Sequence, residues 1–486
     1  MIRELKYISL AVIGAVALSG IPALAQQQPA NTQQEQPTVP IPAIRSPLAS
    51  GADNGDADET GNSQQLTPDT SSLTGVEDLS LGTIPLTHNY WQPRLALSAT
   101  VDSNPQYSTG SSDWTTWSSL LGGVDIHHTS GVSDMLVSYT GGGMFSNSGV
   151  AENGIIQELS FKDKFSLRRS TFSIFEQVSY LPESSFGFAG TAGSGSPGGG
   201  GLNLGTGYTP GQSILTPRGQ SISSSTNLEY DYRLTARTSL TFVGGYSLLR
   251  YFENDLANFG DANFQAGYNY QLSRKDTVAV SYQFSAYRYS DLGQSINANT
   301  IQGAYGRRVT GRLAFQIAAG PQVVSSTSPI TSSTPAAGSS TSSFTSVYWT
   351  LNTSLQYQLR RAALTASYNH SVTGGSGLLA GAQTDIATGS VSEQVSRTFN
   401  VAWNVGYSRN SGLAVASTAT GQTYNYWFTG VNVAHPIGRS LDIFANYQLQ
   451  YQDSNTTGCA GAGCSPSVIR NQIAFGMNLH KQPIPF

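Results

Sequence analysis

The chain carries six histidines, His88, His127, His128, His370, His435 and His480, and one of them sits in a suggestive string. Within YNHSVTGG, Asn369, His370 and Ser371 are the residue types of an acyl-transfer triad. Adjacent residues on a strand point to opposite faces, so these three cannot assemble a triad among themselves. Partners would have to come from neighbouring strands, and an exposed interfacial histidine is the simpler expectation. His127 and His128 fall in or beside an expected short turn. Glu253, Asp255, Asp291 and Asp385 are scattered near expected strand ends, without the pairing that general acid–base chemistry uses. The spacing of His, Cys, Asp and Glu gives no metal site. Gly-rich strings between Leu181 and Gln220 lack the strand-then-helix context of a phosphate loop. No catalysis, cofactor or metal is expected.

The elements that would position these residues are strands. From Trp91 to Phe486 the chain alternates with period two over segments of roughly 9 to 13 residues. After PIGRS, the residues Leu441, Ile443, Ala445, Tyr447, Leu449 and Tyr451 share one face. Asp442, Phe444, Asn446, Gln448, Gln450 and Gln452 share the other. Segments such as Thr277–Ala286, Val347–Tyr357 and Asn400–Ser408 repeat the pattern. Short Arg-bearing turns (LTART, LSRKDT, GRRVTGR, LRRA, PIGRS) alternate with long Gly/Ser/Thr-rich connections. Turn signals place about 18 strand starts, at residues 93, 116, 133, 155, 170, 221, 238, 260, 276, 296, 311, 344, 361, 384, 397, 423, 439 and 467. Interfacial anchoring accounts for the turn arginines more simply than a docking partner does.

Composition bounds the class. Charged residues are 11 % and hydrophobic residues 38 % of 486; a typical globular protein has about 25 % charged. Residues 1–25 read as a secretory signal, with Arg3 and Lys6 before an apolar run and Ala23-Leu24-Ala25 as the cleavage site. Residues 26–88 hold eight acids against Arg45 and few aromatics, a composition expected to stay disordered. The remainder is close to neutral, which argues against a nucleic-acid partner. Export implies an oxidising compartment, where Cys459 and Cys464 in CAGAGC are spaced to close a local disulfide.

Long strands, apolar-out and polar-in alternation, aromatics near strand ends and two kinds of connection resemble the outer-membrane β-barrels of the porin type. The resemblance implies an all-β, transmembrane antiparallel β-barrel of about 16–18 strands over residues 89–486, with short periplasmic turns and long external loops. It also implies that the terminal Phe486 is the signal read by barrel-assembly machinery, although Pro483 and Pro485 should interrupt pairing just before it. In general porins the third loop folds into the barrel. Here the third connection carries Pro182, Glu183, Phe186 and Gly187, so Glu183 and Phe186 are candidate constriction residues. The alternative is an external loop, which its composition favours slightly.

The function these features imply is a passive pore for small hydrophilic solutes in outer-membrane lipid. An export conduit for a secreted polysaccharide, a structural or adhesive surface barrel, and a soluble secreted β-protein are the competing readings. A receptor with a folded N-terminal plug would need about 22 strands and a folded segment at 26–88.

Overall fold

The computed structural model describes residues 89–104, 114–146, 153–181, 214, 220–252, 257–310, 312–330, 340–359, 361–374, 379–396, 399–413, 422–455 and 467–486. All lie in the compact unit Pro42–Phe486. They form eighteen long antiparallel strands and a two-residue terminal one. The strands are β1 (Tyr90–Asp102), β2 (Thr115–Thr129), β3 (Ser133–Ser146), β4 (Gly154–Ser166), β5 (Ser170–Leu181) and β6 (Ser221–Arg233). Then come β7 (Thr238–Tyr251), β8 (Phe259–Gln271), β9 (Asp276–Tyr289), β10 (Gln294–Arg308), β11 (Leu313–Ile330) and β12 (Ser340–Gln358). The series ends with β13 (Ala362–Thr373), β14 (Ala382–Gln394), β15 (Asn400–Gly412), β16 (Thr423–Ile437), β17 (Leu441–Ser454), β18 (Ser467–His480) and β19 (Ile484–Pro485). Every long strand begins within four residues of its expected start.

Each strand pairs with its sequence neighbours, and β1 also pairs with β18, so the sheet closes on itself. Ser98, for example, lies opposite Ser119 on one side and Gly476 on the other. Closure leaves no free edge strand, which a hydrocarbon environment would not tolerate, although the far end of β12, Ser340–Thr350, is paired on the β11 side alone. The connections β2–β3, β4–β5 and so on to β16–β17 are three to five residues long. Those at the opposite end run up to the 39 residues between β5 and β6, with one short exception at 290–293.

Facing follows the alternation. Val280, Trp349, Trp403 and Phe475 point outward and are exposed. Their neighbours Ala279, Thr350, Ala474 and the β17 residues Asn446, Gln448 and Gln450 point inward and are buried. At the short-turn end, Trp91, Phe172, Tyr232, Tyr270 and Tyr357 make an outward aromatic girdle. Such rings favour the interfacial level of a bilayer.

The chain end differs from expectation. Pairing stops after His480, but resumes at β19, where Ile484 and Pro485 lie opposite Trp91 and Tyr90. The Phe486 amide donates to the Asn89 carbonyl at 3.3 Å, and its ring stacks on His128 at 6.2 Å. Proline lacks the N–H but keeps its carbonyl acceptor, so Pro485 still fits an edge pair of this kind.

Candidate pore and its inward-folded mouth

The inner wall divides into two chemistries. Along most of its height it is lined by amides, hydroxyls and ion pairs. Arg94 on β1 meets Asp125 on β2 at 2.7 Å, and Ser138 on β3 contacts both. Glu158 on β4 accepts from Gln177 on β5 at 2.8 Å. Gln302 on β10 donates to Thr350 on β12 at 2.8 Å. Towards the long connections apolar clusters interrupt this polar lining. Trp117, Leu121, Met144 and Ile156 form one buried cluster, and Tyr426, Phe428 and Val468 another.

At this level the seam between first and last strands is fixed by a buried ion pair. Arg470 on β18 reaches Asp102 on β1 through Nη2 at 2.6 Å and Nε at 2.9 Å, with both side chains fully buried. The Gln472 amide adds a third bond to the same oxygen at 3.3 Å.

The connection between β13 and β14 leans into the barrel. Pairing of β13 with β12 ends at His370–Leu351, whereas its pairing with β14 continues to Thr373–Ala382. Freed from β12, the hairpin end turns inward. The Val372 amide donates to the Gln322 side chain of β11 at 3.0 Å. The Tyr289 hydroxyl of β9 donates to the Gly374 carbonyl. The Gln294 amide of β10 donates to the Ala380 carbonyl at 3.0 Å. Gly381 has φ +87°, and a Cβ there would stand 2.2 Å from Ile296 Cδ1. Only glycine allows this approach. Val372 and Leu413 join Tyr289, Ile296 and Val324 in one buried cluster.

The long β5–β6 connection contributes one described residue to the same place. Ile214 is fully buried against Leu379, Ala382 and Tyr424. Ala382 and Tyr424 open β14 and β16, eight and ten strands along the ring from β6. Seven residue steps join Ile214 to Ser221 on β6. They reach at most about 25 Å, whereas eight strand spacings along the wall are at least about 38 Å. Ile214 is therefore reached across the opening, towards a wall that itself leans inward. Glu183 and Phe186, the candidate constriction residues, lie outside the described residues, as do Cys459 and Cys464.

The histidine string resolves against a triad. His370 points outward, stacked on Trp349 at 3.9 Å. Its Nδ1 lies 2.6 Å from Asp385, and its Nε2 is 3.0 Å from the Gln383 amide. Ser371 is on the other face, donating to Asn369 at 2.9 Å. Both ring nitrogens are engaged by non-nucleophiles, so the group positions an aromatic stack and activates no hydroxyl. Asp385 was legible only as a scattered acid; its cross-strand register with His370 supplies the pairing. No group of three or more metal-ligating side chains occurs among the described residues.

No protein-family model matches the chain, and no curated protein does. Solved structures resemble the chain at low identity. OccAB3 of Acinetobacter baumannii is 8 % identical with a TM-score of 0.37, covering 80 % of this chain and 99 % of its own. OpdQ of Pseudomonas aeruginosa is 10 % identical with a TM-score of 0.39, covering 82 % and 99 %. The ferric citrate transporter FecA is as similar, at 8 % identity and a TM-score of 0.39, covering 81 % and 79 %. Likeness at this level is a likeness of fold alone.

Proposed function

We propose that the chain is an outer-membrane pore for the passive diffusion of small hydrophilic solutes. The observation that carries this reading is the closed ring whose outward face is apolar and whose inward face is amide- and hydroxyl-rich, an arrangement that puts lipid outside and a polar path inside. Selectivity then comes from side chains at a narrowed mouth, without catalysis. The inward-folded β13–β14 connection and Ile214 narrow that mouth, which suits small solutes and works against the export of a polymer.

Several parts complete the reading. Residues 1–25 direct export, and residues 26–88 form an acidic tail. Outer-membrane lipid contacts the outward face. Phe486, held beside β1 and 65 % exposed, is available to barrel-assembly machinery. Glu183 and Phe186 contribute to the constriction, and Cys459 and Cys464 pair in the β17–β18 connection. Single-channel recording of the purified protein in a planar bilayer tests the proposal. Discrete steps that persist in solutions of small sugars are expected; a silent bilayer with correctly folded protein overturns it.

A further inference from the structure

Glu176 is an acid on the outward face of β5, the seventh of its twelve residues counted from the short-turn end. Its neighbour Gln177 is buried in the inner wall, so alternation turns Glu176 outward. Phe172 in the short-turn girdle and Tyr180 near the long connections flank it on the same face, four residues away on either side. Four residues are about 13 Å of strand, which sets the carboxyl inside an apolar band about 25 Å tall. The other outward acids, bases and histidines of the described strands avoid this height. They lie within three residues of the short-turn end, as Asp276 and His435 do, or at least eight from it, as His370 and Arg409 do.

The carboxyl is held by β6. The Thr226 hydroxyl donates to one oxygen, and the Ser224 hydroxyl donates to the other at 3.4 Å. Both residues share the outward face, opposite Glu176 and Val178. One strand further on, Gly244 lies opposite Leu228 as the seventh residue of β7. A Cβ there would meet nothing within 4 Å. At the same rank β9 and β17 carry Tyr282 and Tyr447, both exposed. The wall around Glu176 is therefore low and polar at a height where it is elsewhere aromatic.

Lipid tails offer a carboxyl neither donor nor acceptor, and an ionisable group at membrane depth calls for a protein partner. Hydroxyls and small residues are what let protein surfaces bond and approach there. A second copy of this chain supplies that surface at the right depth, because the same girdles seat it in the same bilayer. A two-fold axis along the membrane normal, between β5 and β6, sets each carboxyl against the other copy's hydroxyls, so the face complements itself. We propose that the outward face of β5–β7 around Glu176 is the contact face of a dimer in the membrane. This rests on the reading that lipid surrounds the outward face, and is independent of what crosses the pore.

Two measurements on the full-length protein test it. Light scattering in mild detergent should give twice the protein mass of the monomer. Glu176→Leu and Thr226→Val should give the monomer, with heat-modifiable gel mobility retained as the check on folding. Glu176→Gln, whose amide still bonds the hydroxyls, should keep the dimer. In lipid vesicles, energy transfer between donor- and acceptor-labelled copies should persist on dilution with lipid in the wild type and vanish in Glu176→Leu. Where detergent and vesicles differ, the vesicles decide. A monomeric wild type, a dimer that Glu176→Leu leaves intact, or a threefold mass overturns the proposal. A mature protein that stays dissolved without detergent overturns the lipid-facing reading instead, and shows it before either measurement.

Discussion

At the residue scale, alternation alone told which side chains meet lipid. Leu441 to Tyr451 and Asp442 to Gln452 lie on the faces the sequence pattern implies, because one face of a closed sheet is always inside. Depth within the wall is what the pattern lacked. Ile443 is the third residue of its strand, close to the short turn, while Leu449 is nearer the middle. Leu449→Arg should therefore cost about 2–4 kcal/mol and Ile443→Arg about 0–1 kcal/mol, read from urea unfolding in lipid vesicles. Equal costs would show that the two positions share a depth. The inward partners are packed, not loosely solvated: Gln450 is 1 % exposed. Size at these positions matters as well as polarity.

The seam ion pair belongs to the same scale and was not legible. Asp102 and Arg470 are 368 residues apart, and only ring closure brings them together. Asp102→Ala leaves a fully buried guanidinium without its carboxylate, which should cost about 3–5 kcal/mol. The double variant Asp102→Ala/Arg470→Met should recover most of that loss, measured as the midpoint of heat-modified gel mobility. Failure of the second change to recover anything would mean that Asp102 acts through the backbone.

At the element scale, turns and strands were readable because turn chemistry and alternation are local signals. The inward lean of the β13–β14 connection was not. ALTASYNHSVT alternates without a break, so Val372 reads as an outward residue, yet it is 3 % exposed in an inward cluster. The cause is non-local: β12 stops pairing with β13 at Leu351 and continues upward on β11 alone, to Ser340 opposite Ile330. Gly381 is the hinge point of the consequence. Gly381→Ala adds a Cβ that meets Ile296, at a positive backbone angle that an L-residue resists, a cost of about 1–2 kcal/mol confined to the connection. The barrel should still show heat-modifiable mobility, and single-channel conductance should rise. Unchanged conductance would place this connection off the solute path.

On the scale of the whole molecule, the mouth is a meeting of two connections from opposite sides of the ring. The long β5–β6 connection brings Ile214, and the β13–β14 connection brings Leu379. Eighteen strands otherwise enclose more space than side chains fill. The two connections hold one another through apolar contact, so they should act as one unit. Ile214→Asp sets a charge against Leu379, Ala382 and Tyr424 and should free the contact, raising conductance as Gly381→Ala does. Because Leu379 and Gly381 belong to the same connection, either change should release it, and the pair should open the pore no further than the stronger single variant. Additive increases would mean two independent constrictions, with Ile214 closing the path by a contact that Gly381→Ala leaves intact.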